Sequence, residues 1–390
     1  MTKIKNIPKA QKALESPNGQ TVRQFNVQSY DFDNLYPQNV LNIVSASATG
    51  SGCLERYKDF MEGDGIRSDA LASLRVNKQG ETLADIHKLA SDDLATFEGF
   101  ALHVNYNERG RIVSLHVVPF ENVRLCEPDA EGVVRRVAVH PDWSGQTHWD
   151  GETVKVKADN IDYIDIFNPN PAVVQLQIAE AGGITAYKGQ IMYVSGAGYL
   201  RYPLAYFDAV LTDMSTDEGL SNIMLRNTRN NFLPAGAFVH FRSQGDPDVD
   251  GVETEDYSNA LRDLQGDTRA LAILDIECEN KEEIPQFIPF EGRNTDKDFT
   301  ETSATIKENI YSKFGQECFL ALRNGKVGFS GSLIADANTD YARRVVKRQR
   351  MLSRAYVDVL SKWAEALPEL PTMQSLDVLS LTYATVNANE

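Results

Sequence analysis

Between Phe299 and Trp363 the apolar positions fall into two helical stripes. Phe299, Ile306, Ile310 and Phe314 step by seven, four and four, and Tyr341, Val345, Leu352, Tyr356, Val359 and Trp363 form a second, cleaner stripe. Between the two helices lies a run rich in glycine and serine: Asn324, Gly325, Lys326, Val327, Gly328, Phe329, Ser330, Gly331 and Ser332. Its glycines free the backbone in a way a buried connector does not need, so the run reads as an exposed loop held between two rigid elements.

Upstream, residues 1 to 30 are polar, basic at the start and broken by Pro8, Pro17 and Gly19, which predicts an arm with little structure of its own. A helix is expected from about Asn39 to Met61, closed by Gly63-Asp64-Gly65, and another from Thr82 to Phe97 with Leu83, Ile86, Leu89, Leu94 and Phe97 inward. The period then changes. Phe100 to Tyr106 and Arg111 to Phe120 read as a hairpin around a turn containing Gly110, and short strands follow at Val133 to Val139 and Ile161 to Phe167. From Pro203 the spacing of Leu204, Phe207, Leu211 and Met214 returns to helix, running to Phe232 and softened at Gly219. Ala237 to Phe241 and Leu271 to Leu274 are strand-like. The fold class is α+β.

Charge changes the picture because it is sorted. The chain of 390 residues has a formal net charge of -16, and from Asp246 to Glu301 there are 17 acidic residues against five basic ones. By contrast Arg343, Arg344, Lys347, Arg348, Arg350 and Arg354 crowd one stretch of the last helix. So acidic a protein is not built to coat nucleic acid, although nucleic acid can pass it without sticking. The length predicts two or three domains. The four cysteines are scattered without metal spacing, which favours a reduced folding environment, and neither a signal peptide nor a membrane-spanning segment is expected.

Signals for catalysis are sparse. There is no phosphate-binding G-x-x-x-x-G-K-[ST]; Gly50-Ser51-Gly52 lacks the strand and third glycine of a dinucleotide fingerprint, and Tyr193-Val194-Ser195 departs from a nucleophile elbow. His103 and His116 face one another across the expected hairpin, which suits a packing pair better than a metal site, since no carboxylate or cysteine joins them at ligand spacing. No metal and no cofactor are expected. The arginine-rich helix has two readings, a phosphate-contacting patch or a set of ion pairs within or between subunits, and the overall charge favours the second.

The order of parts from Pro203 to Trp363 resembles the portal proteins of tailed bacteriophages. Ile310-Tyr311-Ser312-Lys313-Phe314-Gly315 looks like that family's helix ending in Phe-Gly, although Gln316-Glu317-Cys318 stands where many members have Val-Pro-Pro, so a break there should be mild or absent. Tyr36-Pro37-Gln38 and Val118-Pro119-Phe120-Glu121 followed by Arg124 look like its N-terminal wing. The resemblance covers roughly residues 34 to 366 and implies a portal-type fold: an arm (1–33), the first part of a wing (34–202), a stem helix (203–232), a small β-containing clip (233–294), a second stem helix (295–323), a tunnel loop (324–334), a long helix of the wing or crown (335–366) and a tail (367–390).

What the resemblance implies is mechanical, not enzymatic. Portal subunits form a ring, usually of twelve copies, at one capsid vertex in the virion after assembly in the host cytoplasm. Double-stranded DNA passes through without sequence-specific binding. The major capsid protein, the large terminase subunit and a head-tail adaptor are the implied partners, with no membrane. The resemblance places Asn324 to Ser332 toward the channel, Lys326 and Phe329 nearest DNA, and leaves Arg343 to Arg354 either at a subunit interface or near DNA. Two other readings compete: a metal-dependent DNA-processing enzyme that uses the acidic insert, and another virion adaptor protein.

Overall fold

The computed structural model describes residues 25–144, 156–197, 201–229, 237–241, 274–278, 295–325, 331–368 and 370–382. The chain divides into two compact units, Met1–Ser215 with Lys307–Glu390, and Thr216–Ile306.

The first unit is an α+β body. Helices α1 (Tyr36–Ala46) and α2 (Ala48–Glu62) occupy the stretch where one helix was expected. The break is at Ser47, whose extended backbone ends α1 while its hydroxyl accepts the Gly50 amide at 3.0 Å to cap α2. After β1 (Gly65–Ile66) and the single turn α3 (Asp69–Ala72), α4 spans Leu83–Phe97. Thr82 and Asp85 close a reciprocal capping box at its start. Leu83, Ile86, Ala90, Leu94 and Phe97 are buried; Leu89, expected inside, is 46 % exposed because it falls about 100° round the helix from Ala90.

Six strands form one mixed sheet: β2 (Gly99–Tyr106), β3 (Ile112–Val118), β4 (Val123–Leu125), β5 (Arg136–Val139), β6 (Asp162–Ile166) and β7 (Gln190–Ser195). Their spatial order is β3-β2-β7-β6-β5-β4, antiparallel except for β6 against β7. The expected hairpin is present, with His103 opposite His116. β7 and α5 (Pro171–Glu180) were not expected; Pro171 opens α5, with Asn170 as its cap. Residues 1–24 of the expected arm lie outside the described residues. Val27 is buried and bridges Cys126, so the chain is already tied to the sheet there.

The helix expected from Pro203 begins only at Leu211, as α6 (Leu211–Arg229), after a short 3-10 turn at Asp208–Val210. The preceding segment is tied to tyrosines instead. The Tyr30 hydroxyl donates to the Pro203 carbonyl, and the Ala205 amide donates to the Tyr36 hydroxyl at 3.0 Å. α6 continues through Gly219 without interruption, at the modest cost of about 1 kcal/mol that glycine carries in a helix.

Helix α7 (Thr295–Phe314) is separated from α8 (Glu317–Arg323), so the expected single helix to Arg323 is broken after all. Gly315 has φ +69°; its amide bonds the Ser312 carbonyl and the Gln316 amide bonds the Tyr311 carbonyl, the paired bonds that end a helix through a left-handed residue. Helix α9 (Gly331–Leu360) follows, and β10 (Val378–Leu379) pairs with β1. Tyr341, Val345, Leu352, Tyr356 and Val359 are buried along α9, and Trp363 is buried just past its end.

The second unit contains β8 (Ala237–Phe241) and β9 (Leu274–Cys278), a parallel pair in register from Ala237 opposite Leu274 to Phe241 opposite Cys278. The second strand lies later than the expected Leu271 to Leu274. Most of the acidic insert lies outside the described residues.

Candidate functional site

The frame around the Asn324 to Ser332 run is built from α2, α8 and α9. Gln316, fully buried, is its joint: its amide nitrogen donates to the Cys53 carbonyl and the Tyr341 hydroxyl, each at 2.9 Å, and Arg56 donates to its oxygen at 3.4 Å. Phe60 meets the Tyr341 ring edge-on at 4.8 Å, and Arg56 lies 4.5 Å over the Phe319 ring. Gln349 fixes α9 from the same side by donating to the carbonyls of Phe60 at 3.0 Å and Met61 at 3.3 Å. These long-range polar bonds hold both helices that flank the run.

Within the run, Asn324 and Gly325 are exposed and make the turn after α8, their amides bonding the carbonyls of Leu320 and Leu322; Gly325 takes φ +65°. Gly331 and Ser332 already belong to α9. Lys326, Val327, Gly328, Phe329 and Ser330 lie outside the described residues.

The six cations of α9 do not act as one group. Arg348 turns inward, its guanidinium 2.5 Å from Glu98 and 4.6 Å over the Tyr206 ring. Arg344 is exposed and pairs along the helix with Asp340 at 3.5 Å. Arg343, Lys347, Arg350 and Arg354 are exposed, and none makes an ion pair among the described residues. Residue type alone could not separate Arg348 from the others, but its place beside the stripe of Tyr341, Val345 and Tyr356 could have.

Glu98 sits at the C-cap of α4 with φ +57°, where its carbonyl accepts the Gly196 amide at 2.8 Å. Burial raises its carboxyl above the usual range, and Arg348 pulls it partly back.

Elsewhere the rings of His103 and His116 are 6.5 Å apart and bound separately. His103 Nε2 is 2.6 Å from the Lys188 carbonyl oxygen, and His116 Nε2 is 2.9 Å from the Ser114 hydroxyl. Burial lowers the His103 pKa, and the Lys188 carbonyl opposes that shift. Among the described residues no three His, Cys, Asp or Glu side chains gather as a metal site, and no helix is long and apolar enough to cross a membrane. A polar cavity of about 250 Å³ lies beside β6 and α5, lined by Arg136, Asp165, Gln177, Glu180, Tyr187 and Lys188.

No protein-family model matches the chain, and no curated protein matches it. Among solved structures, it is similar to a chain in the neck of a native GTA particle computed with C12 symmetry, at 16% identity over 94% of this chain and 90% of that one, with a TM-score of 0.47. A chain in the virion of a native gene transfer agent particle matches at 16% identity with the same coverage and a TM-score of 0.48. One in the neck of an empty GTA particle computed with C6 symmetry matches at 17% identity and a TM-score of 0.47. A likeness of that depth assigns no role to this chain.

Proposed function

We propose that this chain is the portal subunit of a phage-like particle, a ring-forming structural protein with no catalytic role. The observation that carries the reading is the order of elements: helix α6, a small β pair, helix α7 ending at Phe314-Gly315, the short α8, a turn at Asn324-Gly325 and the long α9. In this reading α6 and α7 form the stem and the β pair belongs to the clip. The run from Asn324 projects into the channel, with Lys326 and Phe329 nearest DNA.

The physics of the role suits the composition. A net charge of -16 makes a wall that repels phosphate, along which a duplex can slide, whereas a lysine-rich wall would hold it. Closed rings use head-to-tail contacts, in which two different faces of each subunit meet. Twelve copies at a capsid vertex would offer docking faces to the major capsid protein, the large terminase subunit and the head-tail adaptor.

Electron microscopy of the purified full-length chain tests this directly. Rings with a central hole are expected; a monomer persisting at high concentration overturns the reading. Deleting Gly325 to Gly331 should leave rings intact while impairing DNA packaging or retention in the assembled particle. Normal packaging by that variant removes the loop assignment.

A further inference from the structure

Two helices of the first unit carry charge stripes of opposite sign on the same spacing. On α9, Arg343, Lys347 and Arg350 are exposed at steps of four and three, and Arg354 continues the line. On α2, Glu55, Asp59 and Glu62 follow the same steps of four and three; Glu55 and Asp59 are exposed and Glu62 is half-buried. At about 100° per residue, each triplet covers one narrow line of its helix.

Each line also sits away from the helix's own packing face. On α9 the buried residues Tyr341, Val345, Gln349 and Tyr356 lie roughly opposite the cations, and on α2 Cys53, Tyr57 and Phe60 lie roughly opposite the carboxylates. α2 and α9 meet through those buried faces, where Gln349 bonds the Phe60 carbonyl and Tyr341 meets Phe60. The stripes therefore face away from the contact that joins their helices, and a single chain cannot bring them together.

The acidic stripe is short of compensation within the subunit. Partial burial and repulsion from Glu55 and Asp92 raise the Asp59 carboxyl above its ordinary range, with Arg56 only partly opposing. Glu62 is raised in the same way by burial, Asp92 and Asp59 against Lys88.

Resting on the ring reading, we propose that the basic stripe of α9 docks on the acidic stripe of α2 in a second copy of this chain, forming a head-to-tail contact keyed by charge. Because the two stripes face away from each other across the α2–α9 contact, one partner copy cannot engage both at once, so the contact joins two different faces and propagates from copy to copy. The equal spacing lets three opposite pairs form along about 10 Å of each helix. Double-stranded DNA would also attract the cations, but it would leave the matched carboxylates without a role.

The test uses three full-length variants: Arg343→Glu/Lys347→Glu/Arg350→Glu, Glu55→Lys/Asp59→Lys/Glu62→Lys, and all six changes together. Assembly is followed by analytical ultracentrifugation at low salt, with circular dichroism to confirm folding. Each triple variant should need at least about tenfold more protein for half-assembly, since the reversal sets like charges against each other across the contact. The six-fold variant, and an equimolar mixture of the two triple variants, should assemble within about threefold of the unmodified chain, because every docking pair is again of opposite sign.

Triple variants that assemble normally, or a six-fold variant as impaired as either, overturn the interface while leaving the ring reading in place. Normal assembly of the α9 variant with lost retention of a duplex DNA fragment overturns it in favour of nucleic acid. A wild-type chain that forms no rings removes the ring reading and this contact together.

Discussion

Arg348 and Glu98 form the inward ion pair of α9, 2.5 Å apart, with both side chains largely shielded from water and the guanidinium seated over Tyr206. Removing one partner of a shielded pair costs more than the pair itself contributes, because the other charge is left without compensation. Arg348→Ala should destabilise the first unit by about 2–4 kcal/mol at neutral pH, read from urea denaturation. Adding Glu98→Gln should restore part of the loss. Burial already holds the Glu98 carboxyl above its ordinary value of 4.5, and losing Arg348 raises it further. An acid raised in the folded state weighs against folding only once ionised, so the deficit should shrink as pH falls toward 4.5.

Arg124 is fully buried and makes an equally specific joint. Its guanidinium donates to Asn34 Oδ1 at 2.8 Å, the Asn34 carbonyl at 2.7 Å, the Glu121 carbonyl at 2.8 Å and the Val123 carbonyl at 2.9 Å. The rings of Tyr30 and Trp143 lie 5.5 and 5.4 Å away, and burial brings its pKa down to about 10. It thereby joins the segment before Tyr36-Pro37 to the one after Pro119-Phe120. Lysine keeps the charge but cannot span those acceptors with one ammonium, so Arg124→Lys should cost about 3 kcal/mol, measured by thermal or urea denaturation. A loss below about 1 kcal/mol would show that the fork geometry is not needed.

Much of this frame was legible in the chain and some of it was not, for reasons visible in single residues. Tyr341, Val345, Leu352, Tyr356 and Val359 announced the buried face of α9 because periodic apolar positions encode burial directly. The alternation around Gly110 likewise set His103 opposite His116. Ser47, Gln316, Gln349 and Arg124 are polar and leave no mark in the apolar period, yet all are buried, since polar burial depends on partners distant in sequence, such as Gln316 with Cys53. Arg348 differs, because its place on the Tyr341, Val345 and Tyr356 face separates it from the outward cations. Gly315 ends α7 without any proline, because the left-handed cap needs only glycine and two backbone bonds.

That cap gives a test at one position. Gly315 holds φ +69°, and a Cβ there would first meet the Arg344 guanidinium, a flexible group able to move aside. Backbone strain should therefore dominate, and Gly315→Ala should destabilise by about 1–2 kcal/mol. Asparagine tolerates the left-handed region better, so Gly315→Asn should lose less than alanine in the same denaturation experiment. Equal losses would mean that side-chain crowding, not backbone conformation, controls the site.

His87 should set the acid limit of the first unit. It is buried between α2 and α9, with Nε2 2.9 Å from the Glu62 carbonyl and Nδ1 3.2 Å from the Tyr356 hydroxyl. The carbonyl can only accept, so Nε2 carries the proton; in the neutral ring that burial favours, Nδ1 then accepts from the Tyr356 hydroxyl. Burial holds its pKa below the ordinary 6.5, against a smaller opposing effect of the Glu62 carbonyl. A base depressed in the folded state favours folding at pH values above its unfolded pKa and loses that contribution as pH falls. Below 6.5 the unfolded chain takes up the proton first, so stability should decline from there toward the folded-state pKa, with a slope of up to one proton. His87→Gln, which keeps a donor and an acceptor without titrating, should flatten that part of the urea-denaturation profile between pH 5 and 7. An unchanged slope in the glutamine variant would assign the acid sensitivity to the carboxylates instead.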